Sequence, residues 1–387
     1  MKNKFISKRY WQDQSTPMGK VDELAKQYDD IIRLSLGDPD LITPDLIMKE
    51  AFKDAYAGHT KYTDFRGDPE LRTEIAKFYM EEYDTQINDE EIFVVAGACL
   101  GMYLILESIL DDGDEVILQA PYFTPYKQQV ELARGIPIEL STYEEEAFQI
   151  NPQRLKNLIT NKTKALIINT PNNPSGSCQT RQTMEYIADV AQRHDILIIA
   201  DDIYTAYSFS SPFIPMTSLP GMKERTITIN SCSKDFTMTG WRIGNIIAPS
   251  RIIKTIQQVN ENVMFTAPSV SQRAYIYALK NRKQLQPLIV EAFKKRVMYA
   301  YERIGKIPNM HVLSPMGTFY LWVNIKKTGL TSAAVSECIL EEAHVVTIPG
   351  NSFGECGEGY IRIACTVDVD ILKEAFDRIE NVSIFRV

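Results

Sequence analysis

The chain has 387 residues, of which 44% are hydrophobic and 24% charged, a balance typical of a globular protein with one large core and a smaller second domain. Its 42 basic and 50 acidic residues give a formal charge of −8 without any long run of like charge, which argues against nucleic acid as the main partner. No apolar run approaches the ~18 residues of a membrane span, and the start lacks a signal-peptide pattern. We therefore expect a cytoplasmic protein that does not bind membranes.

Six cysteines and four histidines are scattered along the chain, with no C-x-x-C pair. This spacing predicts reduced thiols and no structural zinc, so we expect no metal site.

From about residue 90 to 250, short apolar runs alternate with segments of helical periodicity. The runs are EIFVVA, EVILQ, KALIINT, DILIIAD, TITIN and IGNIIA. Continuous apolar runs suit strands buried on both faces, and their alternation with helices predicts an α/β fold with a mostly parallel sheet flanked by helices. Ligands of such sheets bind outside the carboxyl ends of the strands, so the turns after these runs are where we expect chemistry.

After about residue 250 the pattern changes to long amphipathic helical stretches, followed by GTFYLWVNI, a helix near 332 to 343, HVVTIPG, YIRIACT and a last helix. This predicts a linking helix and a smaller α+β domain. We place a large domain at residues 46–282 and the small C-terminal domain at 283–387. Residues 1–45 have no strong core pattern, so we expect them to pack on the small domain or on a partner subunit.

Four turns after strands carry candidate chemistry: GAC at 97–99, PNNPSG, ADDIY and NSCSKDFTMTGWRIG. Taken singly, each has an ordinary structural explanation. Glycine and N-N-P-S-G suit turn geometry, an aspartate after a strand is often a helix cap, and a lone lysine is usually a solvated charge. The last stretch, however, combines a lysine, two serines, an arginine and two glycines, which suits a site that holds an anion beside a reactive amine.

In combination these motifs resemble the fold type I, pyridoxal phosphate-dependent aminotransferases of class I and II. The resemblance covers almost the whole chain and rests on KYTDFRGDPELR, VVAGACLG, APYFTPY, PNNPSG, ADDIY, SCSKDFTMTGWRIG, GTFY and YIRIACT, which appear in family order. PNNPSG and MTGWRIG are closest to the bacterial aspartate and aromatic branch. The resemblance implies a seven-stranded sheet in the large domain, pyridoxal 5'-phosphate as cofactor and a homodimer with shared active sites.

The resemblance also assigns residues to the cofactor ring. Lys234 would hold the cofactor covalently and, once released, carry a proton. Asp201 would pair with the pyridinium nitrogen and keep the ring an electron sink, whereas Asp202 lies where the family usually has Glu. Asn173 and Tyr204 would hydrogen-bond the phenolic oxygen of the ring.

At the phosphate end, Ser231 and Arg242 match side chains that bind the phosphate, together with the backbone amides of Ala98 and Cys99 at the start of a helix. Tyr62 matches a tyrosine that reaches the phosphate from the neighbouring subunit.

Phe123 matches the aromatic residue that stacks on the ring, although the adjacent Tyr122 is close enough in register to leave that assignment open. Arg362, with Asn173, would bind the substrate, because the arginine matches the two-pronged contact to the α-carboxylate. Gly37 matches a backbone amide near the same carboxylate. Taken alone, Gly37 would be a simple turn residue, and an arginine on an apolar strand would more often be paired within the protein.

The resemblance implies transfer of an amino group from an L-amino acid to a 2-oxo acid by a ping-pong mechanism through pyridoxamine phosphate. Bacterial aspartate aminotransferases have G-G-K where this chain has GAC, and that lysine can reach the distal carboxylate of a dicarboxylic substrate. Without the cation this carboxylate would be poorly paired, so we expect an apolar or aromatic donor to outperform aspartate. A cation from a neighbouring subunit, or Lys8 or Arg9, could replace the lysine.

Two alternatives stay open. The same scaffold supports pyridoxal phosphate-dependent carbon–sulfur β-lyases, which keep the lysine, aspartate and arginine positions. A non-catalytic regulator on an aminotransferase scaffold is the second alternative. Such regulators carry an N-terminal DNA-binding module, for which the first forty residues are too short and insufficiently basic.

Overall fold

Residues 4–7 and 17–386 are described by a computed structural model in which strands and helices alternate. The strands are β1 (Ile32–Arg33), β2 (Ile92–Val95), β3 (Glu115–Ala120), β4 (Ile136–Ser141), β5 (Thr163–Asn169), β6 (Leu197–Asp201), β7 (Thr226–Ser231), β8 (Gly244–Ile247), β9 (Tyr320–Asn324), β10 (Val345–Val346), β11 (Ile348–Pro349) and β12 (Tyr360–Ala364). The α-helices are α1 (Pro17–Ala25), α2 (Asp45–Tyr56), α3 (Pro69–Tyr83), α4 (Ala98–Ile109), α5 (Pro125–Leu132), α6 (Pro152–Leu158), α7 (Arg181–His194), α8 (Cys232–Asp235), α9 (Ser250–Val263), α10 (Ser269–Lys280), α11 (Arg282–Ile304), α12 (Ser332–Ala343) and α13 (Val369–Ile379).

Seven strands form the central sheet, in the order β2-β8-β7-β6-β5-β3-β4. Neighbouring strands are parallel except at β8, which runs antiparallel to both β2 and β7. The predicted α/β fold with a mostly parallel sheet is therefore confirmed. Six strands coincide with the apolar runs. The seventh, β4, lies at the edge, contains Pro137, and buries only Leu140 fully, so it lacks the continuous apolar signal of the others.

Helices cover both faces of this sheet because successive strand residues point to opposite sides. In β3, Val116 and Leu118 join the core that contains Leu104 of α4. Ile117, between them, joins the core that contains Ile187 of α7. This double coverage leaves the carboxyl ends of the strands as the open edge where a ligand can approach.

The C-terminal part builds a second group of strands and helices. Strands β11, β12 and β9 form an antiparallel sheet, β1 pairs with β10, and α11, α12 and α13 pack around them. The core of this region includes Tyr204 and Tyr207, which follow β6 of the central sheet. Residues from the end of β6 are thereby held between the two regions. Helix α1 places Val21 and Ala25 against Leu340 and Val346. The domain boundaries at residues 46 and 283 stay a prediction.

Over the residues that the structure describes, no helix combines the length and apolar character needed to cross a membrane. The six cysteines are free thiols, and within 4–7 and 17–386 no cluster of three acidic, cysteine or histidine side chains is arranged to hold a metal ion.

Candidate active site

Two adjoining cavities lie at the carboxyl ends of the central strands. They share the lining residues Phe123, Tyr126, Asp201, Ile203 and Lys234. All predicted site residues except Tyr62 line one cavity or both: Gly37, Asn173, Tyr204 and Arg362 belong to the first, and Ala98, Cys99, Ser231 and Arg242 to the second. The turns after β2, β5, β6 and β7 therefore converge at one place, as expected for an open α/β sheet.

Lys234 lies on the short helix α8, directly after the buried strand β7. Ser231 caps this helix, because its hydroxyl accepts a hydrogen bond from the Ser233 amide. The Lys234 amine donates a hydrogen bond to the Gly37 carbonyl. Burial lowers the pKa of Lys234 to about 8, although Asp38 acts in the opposite direction. The amine therefore exchanges protons near neutral pH, which a solvated lysine does not do.

Asp201 is the buried carboxylate at the end of β6. Its Oδ2 accepts a hydrogen bond from the Tyr126 hydroxyl, and the Ile203 amide lies 3.4 Å from Oδ1. Burial raises the pKa of Asp201 to about 6, so the group is ionised above that pH. Asp202 lines neither cavity, and its Oδ2 has no hydrogen-bond partner in the described structure. Of the two neighbouring aspartates, only Asp201 can meet a ligand in these cavities.

The second cavity has the character of an anion site. Helix α4 begins at Ala98 without a side-chain cap, so its first amides are available to a ligand. Gly97, which precedes it, has φ +87°, and a Cβ there would lie 2.6 Å from Nη2 of Arg242. Only glycine lets the guanidinium approach the helix start this closely. The Ser231 hydroxyl lies 2.7 Å from Ser233 Oγ, which also faces this cavity. Amides, hydroxyls and a guanidinium together suit a phosphate.

The first cavity ends at Arg362, which is 5% exposed. Its Nη1 donates to Asn173 Oδ1 at 2.9 Å and its Nη2 donates to the Ser35 carbonyl. Its Nε has no partner among the described residues. The guanidinium carbon lies 4.5 Å from the ring centroid of Tyr320 and 4.9 Å from that of Phe353. A buried guanidinium held by neutral groups and aromatic rings is suited to bind a carboxylate.

Tyr204 and Tyr320 meet beside Arg362, and both line the first cavity together with Lys234. Their hydroxyl oxygens are 3.1 Å apart, and burial raises the pKa of both hydroxyls, so both are neutral at physiological pH. A Cβ on Gly37 would overlap the Tyr320 hydroxyl. Gly37 therefore has a packing role here in addition to the carbonyl that it offers to Lys234.

Of the two aromatic candidates for ring stacking, Phe123 lines both cavities and Tyr122 lines neither. The Tyr122 hydroxyl instead donates to Glu139 Oε1 at 2.6 Å. Tyr62 also lies outside the cavities. Its side chain is 80% exposed, and its ring meets the Phe265 ring edge-on at 4.9 Å. Its role at the site of a neighbouring subunit stays a prediction.

Sequence reasoning missed several residues that line the cavities, chiefly Tyr126, Tyr320 and Ser233. Tyr126 and Tyr320 lie inside the motifs APYFTPY and GTFY. Those motifs supported the family resemblance, but nothing in them says which side chain points to the site. Lys8 and Arg9, considered as replacement cations, lie outside the described residues.

These residues fit pyridoxal phosphate. A buried amine of lowered pKa suits an aldehyde, a buried carboxylate suits a basic ring nitrogen, and the uncapped start of α4 beside Arg242 suits a phosphate. Phe123, which faces both cavities, offers an aromatic face between the two ends.

Comparison with known proteins agrees with this chemistry. The sequence model of the family "Aminotransferase class I and II" matches residues 29–379. The chain is 35% identical over 380 residues to an aspartate aminotransferase of Pyrococcus horikoshii, which covers 97% of both chains. It is equally 35% identical to aromatic-amino-acid aminotransferase 2 of Thermococcus litoralis, over 94% of both chains. The crystal structure of an aromatic aminotransferase from Pyrococcus horikoshii superposes with a TM-score of 0.89 at 36% identity, covering 94% of this chain and 98% of that one. The names of these relatives divide between aspartate and aromatic substrates, so similarity alone does not select the amino donor.

Proposed function

The chain belongs to the class I and II aminotransferases, which depend on pyridoxal phosphate, and we propose that it prefers L-amino acids with apolar or aromatic side chains as donors to a 2-oxo acid, in two ping-pong half-reactions. The observation that carries the proposal is the lining of the two cavities. It combines the groups needed for amino transfer with an apolar wall and no spare cation among the described residues.

Bound pyridoxal phosphate supplies an aldehyde that captures amines and a ring that withdraws electrons from the substrate. Lys234 is the residue that we assign to hold the cofactor and to move the proton at the substrate α-carbon, because its pKa of about 8 is close to the operating pH. Asp201 would keep the ring nitrogen protonated, since it is an anion above pH 6. Asn173 and Tyr204 would orient the oxygen of the ring.

At the two ends of the site, charges bind and orient rather than react. Arg242 and the amides of Ala98 and Cys99 would bind the phosphate, with Ser231 as a further donor. Arg362 would bind the substrate α-carboxylate through its free Nε and its terminal nitrogens. With the cofactor phosphate and the substrate α-carboxylate both held, the reacting carbon would lie beside Lys234. Holding the reacting groups in this orientation raises the rate of the reaction.

The donor preference rests on charge. The described residues that line the cavities include three cations, Lys234, Arg242 and Arg362, and each already has a role. By the family resemblance, Cys99 occupies the position at which bacterial aspartate aminotransferases have a lysine. Among the described residues, its thiol accepts a hydrogen bond from Gln129 Nε2 at 3.4 Å. A dicarboxylic donor would thus lose its water shell without gaining a partner.

The first cavity is also lined by apolar side chains. Leu36, Phe123, Ile203 and Phe353 contribute hydrocarbon surface to its lining. A side chain such as that of phenylalanine, tyrosine or methionine would bury apolar area there, whereas a charged side chain would not benefit.

We also propose a homodimer, in a cytoplasmic protein. Tyr62, Phe65 and Phe265 form an exposed aromatic cluster, and these side chains are 80%, 40% and 40% exposed. A second copy would remove this apolar surface from water. Light scattering of the purified protein tests this directly, since a mass of one 44.1 kDa chain would contradict it.

A panel of amino acids, each tested with pyruvate and with 2-oxoglutarate, separates the proposed activity from its rival. Amino transfer requires the 2-oxo acid and forms its amino acid in equal amount. A carbon–sulfur β-lyase would instead release pyruvate and ammonia from cystathionine without any acceptor. Acceptor-independent turnover as the main activity would contradict the proposal.

A further inference from the structure

Tyr320 contacts three parts of the site: the Tyr204 hydroxyl, Gly37 and the Arg362 guanidinium. Its hydroxyl is 3.1 Å from the Tyr204 hydroxyl, and it occupies the space that a side chain on Gly37 would fill. The face of its ring lies 4.5 Å from the guanidinium carbon of Arg362. Tyr320 is itself 2% exposed, so none of these contacts is made through solvent.

The register of the small sheet explains this placement. Strands β12 and β9 pair antiparallel, with Arg362 opposite Trp322 and Ala364 opposite Tyr320. Arg362 and Tyr320 are therefore diagonal neighbours on one face of the sheet, within reach of each other's long side chains. Phe353 covers the guanidinium as well, so Arg362 has little freedom to move away from the Tyr320 ring.

The direction of the hydrogen bond between the two tyrosines follows from donor capacity. Each hydroxyl has one proton to donate. If Tyr204 donates its proton to the oxygen of the cofactor ring, as assigned above, its oxygen can only accept from Tyr320. Among the described residues, Tyr204 is the hydrogen-bond partner of the Tyr320 hydroxyl. Donation from Tyr320 then strengthens donation by Tyr204.

We propose that Tyr320 is a positioning residue that fixes the Tyr204 hydroxyl toward the cofactor while its ring supports Arg362. One side chain thereby connects the carboxylate-binding end of the site with the cofactor ring. This inference rests on the function proposed above, because the roles of Tyr204 and Arg362 come from it.

The charged groups around the two hydroxyls are few. Arg362 and Asp38 act on Tyr320, and Arg362 and Asp201 act on Tyr204. A Tyr320→Phe variant changes none of these charges and keeps the ring against Arg362. It removes only the hydroxyl, so its effect reports on the contact with Tyr204.

The test is a pH titration of the visible absorption band of the cofactor bound to Lys234, in the absence of substrate. Donation by Tyr204 favours the deprotonated form of that linkage, so weakening it raises the midpoint. Loss of a neutral hydrogen bond predicts a rise of roughly half to one pH unit in Tyr320→Phe. In a Tyr204→Phe background the same substitution should have no further effect, because Tyr320 acts through Tyr204.

Two further variants complete the experiment. Tyr275→Phe is the matched control, since it removes another buried hydroxyl, bonded to Asn245 Oδ1 at 3.0 Å, that lies outside both cavities. It should leave the midpoint unchanged. Gly37→Ala forces the Tyr320 hydroxyl to move, so it should raise the midpoint even if Tyr320→Phe does not fold.

An unchanged midpoint in folded Tyr320→Phe, or an equal shift with and without Tyr204, would overturn the inference. If either result is obtained while the wild-type protein binds the cofactor and transfers amino groups, the inference about Tyr320 fails but the proposed function is unaffected. A wild-type protein without the visible band would instead contradict the proposed function itself.

Discussion

The hydroxyl of Tyr126 donates a hydrogen bond to Oδ2 of Asp201, 75 positions further along the chain. This contact stabilises the carboxylate form of Asp201 against the effect of burial, which raises its pKa to about 6. The balance between the two effects sets the pH above which Asp201 carries the charge that the cofactor ring needs.

Tyr126→Phe should therefore raise the pKa of Asp201 further above its present value of about 6. A higher pKa means that less Asp201 is ionised at neutral pH, so the acidic limb of the kcat/KM profile should move to higher pH. Tyr122→Phe is the matched control, because that hydroxyl also donates to a carboxylate, Glu139, outside the cavities. A profile shifted equally in both variants would show that the contact with Asp201 is not responsible.

Substitution of the two neighbouring aspartates should separate their roles. Asp201→Ala should leave the cofactor attached but lower kcat by about 10²- to 10³-fold, the range for loss of one electrostatic group that acts in the transition state. Burial and the charge of Asp201 raise the pKa of Asp202, which disfavours its charged form. Asp202 lines neither cavity, so Asp202→Asn should keep kcat close to that of the wild type. The reverse result would mean that Asp202 is the residue that faces the ring.

The pKa of Lys234 predicts how the cofactor-free protein captures pyridoxal phosphate. Only the neutral amine attacks an aldehyde, and burial lowers the pKa of this amine to about 8. The rate of capture should rise about tenfold between pH 6 and 7 and level off above pH 8, whereas an ordinary lysine would continue to gain up to about pH 10. Borohydride reduction followed by mass spectrometry measures the adduct. An adduct on another lysine, or a rate that still rises steeply at pH 9, would contradict the assignment.

The sequence predicted the sheet and the edge of the sheet at which the site lies, because buried strands and their following turns leave strong local signals. Strand β4 was not predicted, because an edge strand with half-exposed side chains and a proline has no such signal. The residues matched to the cofactor converge because they follow strands whose carboxyl ends lie at the same edge of the central sheet. Tyr126 and Tyr320 could not be assigned, because their importance comes from contacts with Asp201 and Tyr204 that only tertiary packing creates.

Cys99→Lys should supply a cation for the second carboxylate of a dicarboxylic donor. A charge-assisted hydrogen bond contributes about 1.5 to 3 kcal/mol, so kcat/KM for aspartate relative to phenylalanine should rise by about tenfold or more. Cys99→Met is the control of similar length without charge. If the lysine variant has no relative gain toward aspartate, the missing cation at position 99 is not the cause of the preference.

The most direct test of the proposed donor preference is the ratio of kcat/KM for phenylalanine to that for aspartate, with 2-oxoglutarate as acceptor, in the unmodified protein. The described cavity lining offers hydrocarbon surface and no unassigned cation, so the ratio should exceed one, and tyrosine and methionine should also outperform aspartate. A ratio below one, with aspartate as the best donor, would contradict the proposal.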